Sequence, residues 1–514
     1  MTRLAKFLAA VLVTAGTPSL TAQDHPSHDH DHDATGAPVG VVAFPSRCAP
    51  AAQAELGRAV ALLHSFWYEE AGAAFGKVIA ADSGCAFGYW GRAMSRLHPL
   101  WAPPTPADDS AGRADAAAAV RLSAPGSRER AWAEGIAAFF QPGDQRPFAE
   151  RIAAWRDVTG RVAARDPRDE EAQVFQALAL IAAGQLAATD TTYANQRRAA
   201  AILDPIFVRH PDHPGLAHYL IHAFDSPALA PLAAGAAERY AAIAPAVPHA
   251  QHMPSHIFVR LGRWEDAVAS NARSAEAGRQ FEEREGWHAV WDQRAHAWDY
   301  LEYALLQLGR IDSAEAVMRA AGQVTAVRPP NALTTDYALA AIPARFLLER
   351  DHWADATRLP VRPAPAWRGT EGITHFARAL GAARSGDAAL AGRELDSLAA
   401  IEQALVAQGG VQVYWAGQVK IHRLAAGAWL LRAQGKTDEA LVMAREAADL
   451  EDHTAKHPVT PGPILPAREL LGDLLLALNR PGEAKTAYEA SLAQQPGRAR
   501  SLAGLAVVRQ LGVR

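Results

Sequence analysis

A chain of 514 residues that is 49% hydrophobic carries enough apolar material for a large core, which excludes intrinsic disorder over most of its length. Its net charge of −4 comes without any stripe of Lys and Arg interleaved with aromatics, so no nucleic-acid partner is expected.

Arg3 and Lys6 precede the apolar run 7–14, and small residues follow up to Ala22. That order of charge, greasy core and cleavage site predicts a secretory signal over residues 1–22. The apolar run is too short to span a bilayer and no comparable run follows it. Without an Arg pair before it or a Cys beside the cleavage site, the expected product is soluble, periplasmic or secreted. Residues 23–47 read as a disordered leader in which His25, His28, His30 and His32 alternate with acidic residues, either to capture metal weakly or as a solvated arm.

Cys48 and Cys85 are the only cysteines, and in an oxidising compartment they are expected to form a disulfide, the alternative being two separate buried thiols. Residues 48–125 read as N-terminal helical hairpins, with Leu62, Leu63, Phe66, Ala71, Phe75 and Val78 as an apolar stripe. The stretch 102–127, rich in Pro, Asp, Ala and Ser and running past their end, is expected to contain a connecting loop. From residue 126 to 514 amphipathic helices follow in pairs, and no segment alternates with period two.

A Gly followed five residues later by Ala recurs at Gly262 and Ala267, Gly309 and Ala314, Gly386 and Ala391, and Gly435 and Ala440; Asn479 and Ala484 keep the spacing. Gly marks a turn and Ala lets two helices approach. With Tyr488 and Pro496, the last unit closely resembles a tetratricopeptide repeat (TPR). The resemblance implies an all-α, TPR-like helical-hairpin solenoid wound as a right-handed superhelix, with a concave groove for a protein, peptide or small ligand. The small-residue positions 267, 314, 356, 391, 440 and 484 lie 35–49 residues apart, so the array is a lengthened version of the usual repeat of about 34. The strings HYLIHAFDSP, PHAQHMPSHIF, HAWDYLEYALLQLG and KHPVTPGPILPARELLGD resemble an exported bacterial branch of these proteins with His-rich repeats.

Nine of the 20 histidines fall between His210 and His296. His218 and His222, four apart, project from one helical face, and His249, His252 and His256 precede the next second helix. Equivalent first helices line the inside of a solenoid, so these five are expected to converge on one transition-metal ion, zinc or copper. The alternative is that the rings hydrogen-bond between helices. Pro254, placed in a first helical turn, would leave His249 and His252 in the entering loop. Tyr219 and Met253 stand where a zinc protease needs Glu, which excludes that class. Asp225 is a candidate base, an anchor for an imidazole nitrogen, or a cap for the next helix.

Trp291, His296, Trp298 and Asp299 are expected on the groove wall. The Pro- and Gly-rich block 451–466 forces a long ordered loop, where Glu451 and His457 are further candidate catalytic groups and Lys456 and Glu469 candidate ligand contacts. Two functions follow from these readings: an interaction module that uses the groove, or a metal-dependent hydrolase or oxidase with its ion held by histidines of adjacent repeats.

Overall fold

The computed structural model describes residues 38–141, 145–186, 190 and 192–513; the expected signal segment and the four leader histidines lie outside them. Helices run from Pro50–His64 to Ala499–Gln510. The only strands among the described residues are a two-residue parallel pair, Val290–Trp291 with Val327–Arg328. The chain is an all-α helical-hairpin solenoid in which consecutive helices pair and each pair packs on the next, as do Arg368–Ser385, Ala388–Gln408 and Gln412–Ala433. No described helix is long and apolar enough to cross a membrane.

The five-residue spacing seen in the sequence is the joint of each pair. Gly262, Gly309, Gly386 and Gly435 have positive φ, and Asp351 and Asn479 take the same place with φ of 57° and 56°. Gly reaches this left-handed region without a Cβ clash, and Asn and Asp tolerate it. Five residues on, Ala267, Ala314, Ala356, Ala391, Ala440 and Ala484 are each 0% exposed, with no side chain beyond Cβ to hold the helices apart. Phe66 and Ala71 repeat the pattern near the amino terminus, with Ala71 buried and Phe66 at φ 55°. A bulky residue there costs on the order of 1–3 kcal/mol and persists only when its surroundings hold it.

Residues from Pro38 onward form one compact unit, so the N-terminal hairpins belong to the same array as the helices after residue 126. The expected extent of the leader is corrected. The disordered leader does not extend to residue 47, because Pro38–Arg47 is an extended strap. Val41 N–H donates to Asp212 O at 3.1 Å, and the Phe44 ring packs on Phe87, Trp90 and Trp132 with centroids 4.8–5.6 Å apart. Val39 and Phe44 supply buried apolar anchors that a purely solvated leader lacks. The stretch 102–127 keeps its expected loop residues only at its two ends, and its middle is a helix, Pro106–Leu122, started by Pro106 and capped by the Thr105 hydroxyl, which accepts from Asp108 N–H at 3.2 Å. Cys48 and Cys85 are joined, tying the strap to the second hairpin.

The array closes on itself. Trp264 Nε1 donates to Gly497 O at 3.1 Å and Ala499 N–H donates to Gln307 Oε1 at 3.0 Å, seating the last repeat on the one that begins near Gly262. Between them lies Arg498, fully buried, which binds Glu469 through two nitrogens (2.8 and 3.0 Å), Glu349 (2.6 Å) and Tyr303 Oη (3.2 Å). The loop 453–466 fills the space inside, with Ile464 and Leu465 buried and the single Tyr300 O–H shared between Pro458 O and Thr460 O, each 2.9 Å away. Trp291, His296, Trp298, Asp299 and Glu469, expected on an open groove, are therefore buried.

Arg498→Met should leave the buried Glu469 and Glu349 carboxylates without their main partner and cost about 3–5 kcal/mol. Urea unfolding followed by circular dichroism measures this, and a midpoint equal to that of the parent would contradict the closure described.

Candidate metal centre

Three successive first helices deliver six imidazoles to one place. His218 and His222 stand one turn apart on Pro214–Phe224, which Pro214 starts and His213 caps by accepting from Leu216 N–H at 3.3 Å. His249 and His252 lie on the short helix Pro248–His252 and His256 on Pro254–Arg260. Met253 keeps helical angles between them (φ −54°, ψ −35°), so Pro254 restarts a helix already under way. The expectation that His249 and His252 sit in an entering loop is corrected, because Pro248 starts the helix one turn earlier. His296, expected only as a groove residue, comes from Asp292–Gln307.

The rings fall into two trios, His218, His222 and His249, and His252, His256 and His296; within each trio the ligand atoms lie within 4.8 Å of one another. The His222 and His256 rings are 6.3 Å apart, so the trios adjoin.

The outer nitrogens determine what the inner ones can do. His218 Nδ1 lies 2.6 Å from His64 O, which can only accept, so Nδ1 carries the proton. His252 Nδ1 donates to Asn271 Oδ1 at 2.6 Å, with the amide oriented by Asn271 Nδ2 donating to Ala267 O at 2.8 Å. His256 Nδ1 donates to Asp225 Oδ2 at 2.9 Å and His249 Nδ1 to Gln293 Oε1 at 3.2 Å. All four therefore turn a bare Nε2 lone pair inward. His252 Nε2 faces His256 Nε2 at 3.0 Å, and His249 Nε2 faces His218 Nε2 at 3.2 Å, with no proton left to lie between either pair. His222 Nε2 is 3.1 Å from His218 Nε2, and His296 Nδ1 is buried without a hydrogen-bond partner.

Protonation does not relieve these contacts. Burial, the largest cause at each ring, lowers all six imidazoles below their ordinary value; repulsion from other rings adds to it at all but His256, where Lys456 and Arg260 add instead, and Asp225 opposes the shift at His222, His252 and His256. Burial alone would raise the Asp225 carboxyl, but Lys456, Arg260 and His256 hold it well below the usual carboxylate range. Asp225 thus acts as an anchor for His256 and Arg260 (2.9 Å to each), with Lys456 at 3.6 Å; it does not cap the next helix by any hydrogen bond described.

A third group shows what a satisfied histidine cluster looks like. His64 Nε2 and His213 Nε2 donate to the two oxygens of Glu171 at 2.9 and 2.8 Å, while His64 Nδ1 accepts from Tyr219 Oη at 2.9 Å. Every nitrogen there has a partner, and this group fits the hydrogen-bonding alternative. It also positions the centre, since the His64 carbonyl holds His218.

Aromatic rings wall the centre. Phe66 packs on His218 (centroids 4.4 Å apart), His222 and His249; Tyr240 stacks on His218; and Tyr300 covers His252 and His256 at 4.7 and 4.9 Å. The strained backbone of Phe66 thus sits against the first trio. The loop candidates do other work. Glu451 accepts from Ala467 N–H at 2.7 Å, and His457 Nδ1 accepts from Val459 N–H at 3.1 Å, its ring against Trp415. Asp299 pairs with the buried Arg345 at 2.7 Å, and Trp298 stacks under Arg294. Lys456 donates to Thr460 O at 2.7 Å, pinning the loop beside Asp225.

No family model matches the chain, and no curated protein matches it. Among solved structures it is similar to yeast Tom70, at 11% identity and a TM-score of 0.35 over 90% of this chain and 95% of that one. It is also similar to the TPR domain of P58(IPK), at 13% identity and 0.24 over 90% and 98%, and to a human IFIT1 dimer with m7Gppp-AAAA, at 12% identity and 0.38 over 87% and 91%.

Glu171→Gln should cost about 2–3 kcal/mol, because one amide cannot accept from both buried imidazoles. Thermal melting of the variant beside the parent checks this, and an unchanged melt would refute the structural role of that group.

Proposed function

We propose that this protein is a metalloprotein whose helical array builds a buried transition-metal centre of catalytic type. The observation that carries the reading is the pair of facing Nε2 lone pairs, 3.0 Å apart in one trio and 3.2 Å in the other, each left bare by a proton committed on the far side of the ring. Two lone pairs so placed repel unless a cation lies between them. Two metal–nitrogen bonds of about 2.0–2.1 Å meeting near the tetrahedral angle put their nitrogens about 3.3 Å apart, close to both spacings. The outer acceptors, Asn271, Asp225, Gln293 and the His64 carbonyl, are the kind of partners that fix ligand tautomers in metal sites.

Three protein ligands leave a coordination position for a reactant, whereas structural sites fill all four. The ligands are neutral and purely nitrogenous, and the nearby Asp225 is outweighed by Lys456 and Arg260. Such surroundings disfavour a hard dication and suit copper, which binds nitrogen sites most tightly among the first-row ions and is also stable with a single charge. Both oxygens of Asp225 are occupied, one by His256 and one by Arg260, so Asp225 is not free to serve as a base, which favours redox chemistry on a small molecule over hydrolysis. The groove reading has less support, since the residues assigned to its wall are buried. An exported setting, expected from residues 1–22, suits the Cys48–Cys85 disulfide.

Elemental analysis of the full chain with His25, His28, His30 and His32 changed to Ala, after exposure to copper and zinc and removal of excess, should find stoichiometric copper. His218→Ala with His256→Ala should abolish it, and Asp225→Asn should weaken binding by about 10–100-fold. No stoichiometric metal in the chain with intact centre histidines would end the proposal.

A further inference from the structure

The six imidazoles pose a question of number. Two rings bound through nitrogen to one ion at about 2.0–2.1 Å have centroids about 5 Å apart at the tetrahedral angle, and about 6.4 Å apart when they face each other across it. Four ring pairs fall near the first value: His218 with His222 (4.8 Å), His218 with His249 (5.0 Å), His252 with His256 (5.0 Å) and His252 with His296 (4.3 Å). All four are inside one trio or the other, and together they join every ring of each trio. The contacts between trios, His249 with His252 at 6.1 Å and His222 with His256 at 6.3 Å, are close to the facing limit, as are His222 with His249 at 6.5 Å and His256 with His296 at 6.2 Å inside them, so the division is drawn by the ligand atoms, which lie within 4.8 Å of one another in each trio. Each trio also contains its own pair of facing bare nitrogens, so a cation placed in one leaves the repulsion in the other.

Resting on the metal-centre reading above, we propose that the interior holds two copper ions side by side, one on His218, His222 and His249 and the other on His252, His256 and His296. His296 is the sixth ligand that sequence spacing leaves unassigned. It is buried, its Nδ1 has no hydrogen-bond partner, and its ring lies against that of His252. The two sites have a common backbone, since His249 of the first trio and His252 of the second lie one turn apart on Pro248–His252. The ions are thereby neighbours, and one small ligand can reach the open position of both.

The test counts copper in the full chain with the four leader histidines changed to Ala, loaded with copper(I) under reductant and desalted against a copper(I) chelator. Two copper ions per chain are expected. His296→Ala, and separately His222→Ala, should each retain one, and the pair of substitutions together none. Circular dichroism melts of each variant show whether the fold persists, and the count on the chain with all six centre histidines does not depend on them. One ion per chain there overturns the two-site assignment while leaving the metal-centre reading in place; zero overturns both. Loss of both ions in a folded His296→Ala chain likewise overturns the assignment of one ion to each trio.

Discussion

Arg498 closes this molecule. A helical-repeat array left open presents its inner helices to water, and imidazoles on them titrate near their ordinary value. Here the last repeat returns to the middle of the chain and is pinned there by one buried guanidinium between Glu469, Glu349 and Tyr303 Oη. Tyr303 stands on the same helix as His296 and Tyr300, so the closure is one helical face away from the centre. Loop 453–466 then takes up the interior, and Lys456 reaches Asp225 through it. The filled interior, with Phe66 and Tyr240 on the side of the first trio, supplies the burial that lowers all six imidazoles below their ordinary value.

Within that interior, the difference between a packing histidine and a candidate ligand is a matter of where its one proton goes. Glu171 accepts a hydrogen bond from each of two rings whose remaining nitrogens accept from Tyr219 and from a backbone amide, and nothing is left over. In the two trios the protons of His218, His249, His252 and His256 are drawn outward by a carbonyl, two amide oxygens and a carboxylate, and their lone pairs are left to face each other. Arrangements that turn like poles together cost free energy in the folded state, and they persist where the surrounding fold over-determines them. Phe66, held at positive φ with its ring on His218, belongs to the same economy of strain.

Much of this was legible in the chain. The five-residue interval from Gly262 to Ala267 and its repeats is a local rule, a left-handed turn and then a Cβ-only contact, and local rules survive in sequence. The same interval at Phe66 and Ala71 was there to be seen, but a Phe hides the pattern because bulk is not what a turn calls for. His218 with His222 and His252 with His256 read as shared faces because the helix period is fixed. Asn271, Gln293 and the His64 carbonyl carried no such signal, because what they do is set by helices distant in the chain. His296 shares a helical face with Asp292 and Asp299 and has no second His one turn away, so its spacing carries no ligand signal, and the polar tract before Val39 and Phe44 hides the strap.

Sequence alone determined that the chain is helical, that its helices pair through Gly and Ala, and that histidines crowd three neighbouring first helices, since each of these depends on backbone geometry over a few residues. Tertiary structure alone decided that the trough is filled, that the imidazoles divide three and three, and which nitrogen of His218, His249, His252 and His256 carries the proton. Those depend on where the chain returns after some two hundred residues, as Trp264 meets Gly497 across a separation of 233, and no periodicity encodes that meeting.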